Sequence, residues 1–219
     1  MRPELRISED GSSTLYRADL DEHYHSFHGA IQESMHVFIE AGLKNVRPKS
    51  ALNILEIGFG TGLNALLTWI HKPEGIIHYH GLEKYPVDPD LTALINYPQL
   101  LGGERVLRHF SAMHAGVWDQ EMVIQDDFLL TKLKVDLCDF EFKTRYDLVY
   151  FDAFAPEKQP ELWTDTIFRN IFNKMSHGGV LTTYSAKGAV RRSMQAAGFE
   201  VERIPGPPGK REMLRATKE

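Results

Sequence analysis

Leu55-Glu56-Ile57-Gly58-Phe59-Gly60-Thr61-Gly62-Leu63-Asn64 decides how this chain folds. An apolar run from Leu52 to Ile57 ends on three alternating glycines, and a helical pattern, Leu63 to Ile70, starts directly after them. Short apolar runs closed by glycine read as buried parallel strands. A strand, a glycine bend and a helix in that order are the first unit of an open α/β sheet. Further strands are expected at Ile76 to Leu82, Phe128 to Leu137, Tyr146 to Phe151, Val180 to Tyr184, Phe199 to Ile204 and Met213 to Ala216. Helices are expected at Leu91 to Leu101, Glu161 to Met175 and Ala189 to Ala197, the last stopped by Gly198. The expectation is therefore a Rossmann-like α/β fold, a seven-stranded, mostly parallel sheet with helices on both faces.

The first 50 residues read differently. Leu5-Arg6-Ile7 and Thr14-Leu15-Tyr16 flank Asp10-Gly11, a hairpin signal. Tyr24-His25-Ser26-Phe27-His28-Gly29 follows, and Ile31, Met35, Phe38 and Ile39 then repeat at helical spacing up to Gly42. Two parts are expected: an extension of hairpin, lid and helix over residues 1–50, and the α/β domain over 51–219.

Composition narrows the class. With 42% hydrophobic and 25% charged residues in 219, the chain has the balance of a globular protein rather than a disordered one. No window approaches the run of about 18–20 apolar residues that spans a bilayer, and Met1-Arg2-Pro3-Glu4 leads into polar sequence. A cytoplasmic protein without a membrane partner is expected. Cys138 is the single cysteine, which excludes an intrachain disulfide. His23, His25 and His28 find no completing ligands at metal spacing, so no metal is expected. The formal net charge is −5, yet from Lys187 to Glu219 eight basic residues face four acidic ones. Such a basic end admits a polyanionic partner, and it equally admits a plain solvated surface.

The glycine loop excludes two common ligands. A dinucleotide fingerprint would place its third small residue at Leu63, and no Lys-Ser/Thr pair follows as a P-loop requires. Backbone bare of Cβ atoms suits a methionine-derived cofactor that carries no phosphate. Glu56, directly or through water, would balance its ammonium and sulfonium charges. Glu83 closes the next strand about 20 residues on, where an open sheet offers a carboxylate to a ribose diol. Asp136 is the candidate acceptor for the adenine amino group, with Asp126 and Asp127 as rivals.

After the strand ending at Phe151 comes Asp152-Ala153-Phe154-Ala155-Pro156-Glu157-Lys158-Gln159-Pro160-Glu161-Leu162-Trp163-Thr164. Together with Tyr24-His25-Ser26, the glycine loop, Glu83-Lys84, Ala186 to Arg192 and Gly209-Lys210-Arg211-Glu212-Met213-Leu214, this block resembles one family. It is that of the tRNA wobble-uridine methyltransferases related to the methyltransferase half of the bifunctional MnmC enzymes, and the likeness spans nearly the whole chain.

The resemblance implies a class I methyltransferase fold and S-adenosyl-L-methionine held by Glu56, Gly58, Gly60, Thr61, Gly62, Asn64, Glu83, Lys84 and Asp136. It implies methyl transfer to the exocyclic amine of 5-aminomethyl(-2-thio)uridine in a tRNA anticodon loop. The bifunctional relatives add a flavin oxidase, for which a chain ending at Glu219 has no room. Asp152, at the lip of the ligand crevice, is assigned to the aminomethyl nitrogen, as a base or only as an orienting group. Phe154 and Pro156 would wall the uracil ring, and Trp163 reads either as wall or as core. Tyr24 and Ser26 would be lid residues. Lys187, Arg191, Arg192, Lys210 and Arg211 would hold flanking phosphates, making affinity fall with salt. Rival readings are a methyltransferase for a small-molecule amine, a nicotinamide oxidoreductase, and a non-catalytic RNA-binding module. The assembly is undetermined, with a monomer compatible.

Overall fold

The computed structural model describes residues 2–219. The expected hairpin forms from β1 (Glu4–Ile7) and β2 (Ser13–Arg17), paired antiparallel from Glu4↔Tyr16 to Ile7↔Ser13, with β3 (Glu22–His23) as a third strand. Helix α1 (Ala30–Ser34) continues into a π-helical turn, Met35–Glu40. Val37, Phe38 and Ile39 are at most 1% exposed and pack in one cluster with Leu52, Ile54, Leu66 and Tyr150. The first 50 residues thus split: the hairpin forms a separate small sheet docked through Leu5 and Ser13, whereas the helical part is built into the main core.

The remaining elements alternate. They are β4 (Ala51–Ile57), α2 (Leu63–His71), β5 (Ile76–Leu82), α3 (Pro89–Thr92), α4 (Tyr97–Leu101), α5 (Glu104–Ala115), β6 (Glu121–Gln125) and β7 (Phe128–Leu133). Next come β8 (Tyr146–Phe151), α6 (Asp165–Lys174), β9 (Met175–Thr183), α7 (Gly188–Ala197), β10 (Glu200–Pro205) and β11 (Glu212–Thr217). One eight-stranded sheet runs β10-β11-β9-β8-β4-β5-β7-β6. The pairs β9–β8, β8–β4, β4–β5 and β5–β7 are parallel, while β6, β11 and β10 join antiparallel at the two sides.

Alternation along the strands produces two core layers. Ile54, Leu148, Tyr79 and Phe128 face one layer with α2 and α5, whereas Leu55, Val149, Phe151 and Leu181 face the other with α6 and α7. Trp163 belongs to this second layer, 6% exposed and 4.7 Å from the Phe151 ring, so its core reading holds.

Three expectations need correction. The sheet has eight strands rather than seven, because β6 pairs with β7 at the edge. Its residue Val123 is 64% exposed, so only half of that strand's pattern marks a core. An unexpected helix, α5, buries Val106, Phe110 and Met113 along one face. The single helix expected over 91–101 is instead two short ones, α3 and α4, broken around Asn96.

The chain leaves β4 toward β5 and β7 on one side and later adds β8 and β9 on the other. The carboxyl ends of β4 and β8 therefore bound the switch point, where open sheets keep a crevice.

Candidate active site

A cleft of about 580 Å³ opens over that switch point, walled by the exits of β4, β5 and β8 and covered by residues 22–27. Its floor is the glycine loop. Gly58 has φ +88°, and a Cβ there would lie 2.5 Å from the Asp152 carbonyl oxygen, so only glycine lets the exits of β4 and β8 touch. Gly60, at φ +50°, passes under the Tyr24 ring, 3.1 Å from where a Cβ would stand. The Gly58 and Phe59 N–H groups donate to Leu82 O at 3.0 and 2.8 Å, tying the bend to β5.

Beside the loop, Gly60 N–H donates to Glu83 Oε2 at 3.0 Å, and Tyr85 N–H donates to Glu83 Oε1 at 2.9 Å. Burial pushes the Glu83 carboxyl up, while these amides pull it down. Lys84 pairs with Asp136 at 2.7 Å across the rim, and this ammonium holds the Asp136 carboxyl below its usual range. The rivals Asp126 and Asp127 precede β7, at the amino ends of the strands and so away from the cleft, where Asp127 pairs with Lys72. Thr61 Oγ1 shares a 3.1 Å hydrogen bond with Tyr97, and His114 Nε2 donates to Thr61 O at 3.1 Å. Burial holds His114 down to about 4, so the ring is neutral at pH 7.

Two carboxylates are joined at the centre. Asn64 Nδ2 donates to Glu56 Oε1 at 2.9 Å and to Asp152 Oδ2 at 2.8 Å, and Tyr79 Oη donates to Glu56 Oε2 at 2.8 Å. Glu56 is fully buried, and desolvation pushes its carboxyl well up. Asp152 is pushed up to about 7, chiefly by burial; Asn64 pulls it down, Glu33 adds to the rise and Lys210 offsets it. Asn64 Oδ1 is buried without a partner, as an atom reserved for a ligand or an ordered water would be.

Of the residues expected at the site, Gly58, Gly60, Thr61, Asn64, Glu83, Lys84, Asp136, Asp152, Phe154, Tyr24, Ser26 and Lys210 line this one cleft. Tyr24 meets the Phe154 ring edge-on at 5.2 Å, which makes both one wall. Other expected residues lie outside the lining. Glu56 sits behind Asn64, so any effect of it on a ligand passes through that amide rather than directly. Gly62 begins α2 beneath the loop, and Pro156 turns away in the bend before α6.

The basic group is also divided. Lys187 pairs with Glu157 outside the cleft, Arg192 and Arg211 are exposed, and Arg191 carries a buried Nε without a partner. Lys210 is turned inward onto Glu33 at 2.5 Å. Sequence reasoning missed Glu33 and Arg17, both of which line the cleft. Glu33's only signal was an acidic residue between the apolar positions Ile31 and Met35.

Backbone without Cβ atoms, a carboxylate at the next strand end and an unsatisfied amide oxygen fit S-adenosyl-L-methionine, which needs close approach and diol acceptors rather than a phosphate nest. Among the described residues no group of three or more His, Cys, Asp or Glu is placed to hold a metal ion, and no helix is long and apolar enough to cross a membrane.

Comparison with known proteins identifies relatives of the whole chain. The bifunctional tRNA 5-methylaminomethyl-2-thiouridine biosynthesis protein MnmC of Ectopseudomonas mendocina is 35% identical over 207 residues, which cover 87% of this chain and 31% of that protein. MnmC of Leptospira interrogans is 30% identical over 228 residues, covering 89% of this chain and 32% of its own length. This chain thus spans about a third of the length of these curated relatives. The crystal structure of MNMC2 from Aquifex aeolicus matches with a TM-score of 0.82 at 26% identity, covering 99% of this chain and 70% of that one. A model of one family, described as S-adenosyl-L-methionine-dependent methyltransferases, matches residues 104–219. With that match over more than half its length, the chain belongs to the S-adenosyl-L-methionine-dependent methyltransferases, on a Rossmann-like α/β fold.

Proposed function

We propose that this enzyme methylates the exocyclic amine of 5-aminomethyl(-2-thio)uridine at the wobble position of tRNA, giving the 5-methylaminomethyl derivative. The observation that carries the reading is Asp152. Its carboxylate lies at the switch point against the glycine loop, hydrogen-bonded to Asn64, with burial pushing it up to about 7. A buried carboxylate beside the cofactor loop is suited to a nitrogen nucleophile that must shed a proton near neutral pH. The names of the relatives, which describe 5-methylaminomethyl-2-thiouridine biosynthesis, point to the same acceptor.

The bound cofactor supplies a methyl group on a sulfonium. Transfer of that methyl to the amine lone pair would leave the S–C electrons on sulfur and one proton to be taken from the nitrogen. Asp152 accepts a hydrogen bond from the amine, aims its lone pair and takes that proton directly or through water. Asn64 fixes the carboxylate by donating to it. Glu83 would hold the cofactor by accepting from its ribose hydroxyls, and Asp136 by accepting from its adenine amino group. Tyr24 and Phe154 flank the uracil ring. An anticodon base reaches such a cleft by unstacking from its loop, at modest cost. Arg17, Lys158 and the outer group Lys187, Arg192 and Arg211 then face its phosphates.

The net charge of −5 favours a second reading, a small-molecule amine as acceptor. Incubation with tRNA from cells that lack this modification, followed by nucleoside mass spectrometry, decides between them. The wobble nucleoside should gain one methyl group, and turnover on tRNA should fall steeply with salt while turnover on free nucleoside does not. Unmodified tRNA alongside methylated free nucleoside would establish the second reading instead.

A further inference from the structure

Glu33 and Lys210 are separated by 177 positions and meet in the wall of the cleft. Glu33 Oε1 accepts from Lys210 Nζ at 2.5 Å, and Oε2 accepts from Ser26 N–H at 2.7 Å. The Glu33 side chain is 10% exposed. Lys210 Nζ also rests 4.2 Å from the centre of the Tyr184 ring, whose hydroxyl donates to Ala153 O at 2.8 Å, one residue past Asp152. Two further contacts join the same parts of the chain. His36 Nε2 donates to Pro205 O at 2.8 Å, and the His28 ring presses on Gly209 so closely that a Cβ there would lie 2.4 Å from it. The segment 26–36 is therefore stitched to the β10–β11 hairpin at three places, two of them in its turn. The Lys210 side chain is 34% exposed, and so partly solvated an ion pair contributes little net stability, so stability alone does not account for one placed against the acceptor end of a cleft.

We propose that the Glu33–Lys210 pair is a positioning clamp of the acceptor site: it holds the 26–36 segment down on the 206–211 turn, seats Tyr184 on the loop bearing Asp152, and balances charge around that carboxylate. The inference rests on the reading that Asp152 receives the acceptor amine. The groups that act on Asp152 come from every element around it: Asn64 on α2 with Glu56 on β4 behind it, Glu33 on α1, Lys210 on the β10–β11 turn, and the phenols of Tyr184, Tyr97 and Tyr79. Within this set Lys210 is the cation and Glu33 its counter-charge, so removing either one has a signed effect. Without the ammonium, two carboxylates face one another uncompensated and Asp152 ionises at higher pH. Without Glu33, the ammonium acts on Asp152 alone and it ionises at lower pH.

The test is a 13C titration of the Asp152 side-chain carboxyl in the full chain, its signal identified by its loss in Asp152→Asn. It is run beside pH profiles of kcat/KM on tRNA. Lys210→Met should raise the midpoint and Glu33→Gln lower it, each by roughly half a unit or more, with the acidic limb of kcat/KM moving likewise. Lys210→Arg should restore the wild-type midpoint, and affinity for S-adenosylhomocysteine should stay within about twofold throughout. Midpoints that stay put, or that move the same way in both variants, overturn the clamp; a loss of tRNA affinity with an unmoved midpoint makes Lys210 a phosphate contact and overturns it too. Opposed midpoints without methyl transfer to tRNA by any form, wild type included, would support the clamp while sinking the acceptor reading. The carboxyl titration needs no acceptor, so the two failures are distinct.

Discussion

Asn64 donates to Asp152 at 2.8 Å from the same amide nitrogen that donates to the buried Glu56 at 2.9 Å. One residue of the helix following the glycine loop thereby spends both its hydrogens on two carboxylates whose ionised form burial disfavours. The cofactor loop and the candidate acceptor group are thus parts of a single hydrogen-bond network, and displacement of one is felt by the other.

Asn64→Ala should accordingly do more than remove one contact. Glu56 keeps only Tyr79 as a donor and Asp152 loses its amide partner, so stability should drop by about 1–3 kcal/mol. The acidic limb of kcat/KM should move to higher pH, and kcat/KM at pH 7 should fall on the order of 100-fold. Chemical denaturation and pH–rate profiles read the two effects separately.

Glu83→Ala tests the cofactor's side of the cleft. It removes the acceptor of Gly60 N–H and the carboxylate assigned to the ribose diol. A hydrogen bond to a charged group contributes about 1.5–3 kcal/mol, so affinity for S-adenosylhomocysteine should weaken about 10- to 100-fold. Calorimetry would register this, while kcat at saturating cofactor should change far less.

Gly58→Ala combines a positive φ with a backbone collision, its Cβ lying 2.5 Å from Asp152 O. Gly103, at φ +67° and ψ −138° with nothing within 4 Å of a Cβ, is the control for conformational strain alone, about 1–3 kcal/mol. Thermal unfolding should show Gly58→Ala to be the more destabilised by several degrees, and only that variant should lose cofactor binding.

Asp152→Asn should lose turnover while retaining cofactor affinity, and it has a signature in stability. The folded carboxyl is raised from 3.8 to about 7, so between these values the folded state holds a proton that the unfolded state has released. Wild-type stability attributable to Asp152 therefore declines as pH rises from about 4 to 7. The melting temperature of Asp152→Asn relative to wild type should climb across that window and level off above it. A difference that stays flat with pH would remove Asp152 from the titrating groups.

Local pattern alone was enough for the strand, glycine bend and helix between Ala51 and His71, for the strand ending at Phe151 and for the Gly198 stop, since buried parallel strands and left-handed glycines leave marks within a few residues. Those marks placed Glu83 and Asp152 at strand ends and so at one crevice. Edge strand β6 and the amphipathic α5 were harder to read because half of each faces water. Only tertiary structure decided that Lys210 turns inward to Glu33 while Lys187 pairs outward with Glu157, and that Glu56 stands behind Asn64 rather than in the cleft. Charge partners such as these are chosen by proximity after the sheet has closed, and residues 177 positions apart carry no local pattern that announces their meeting.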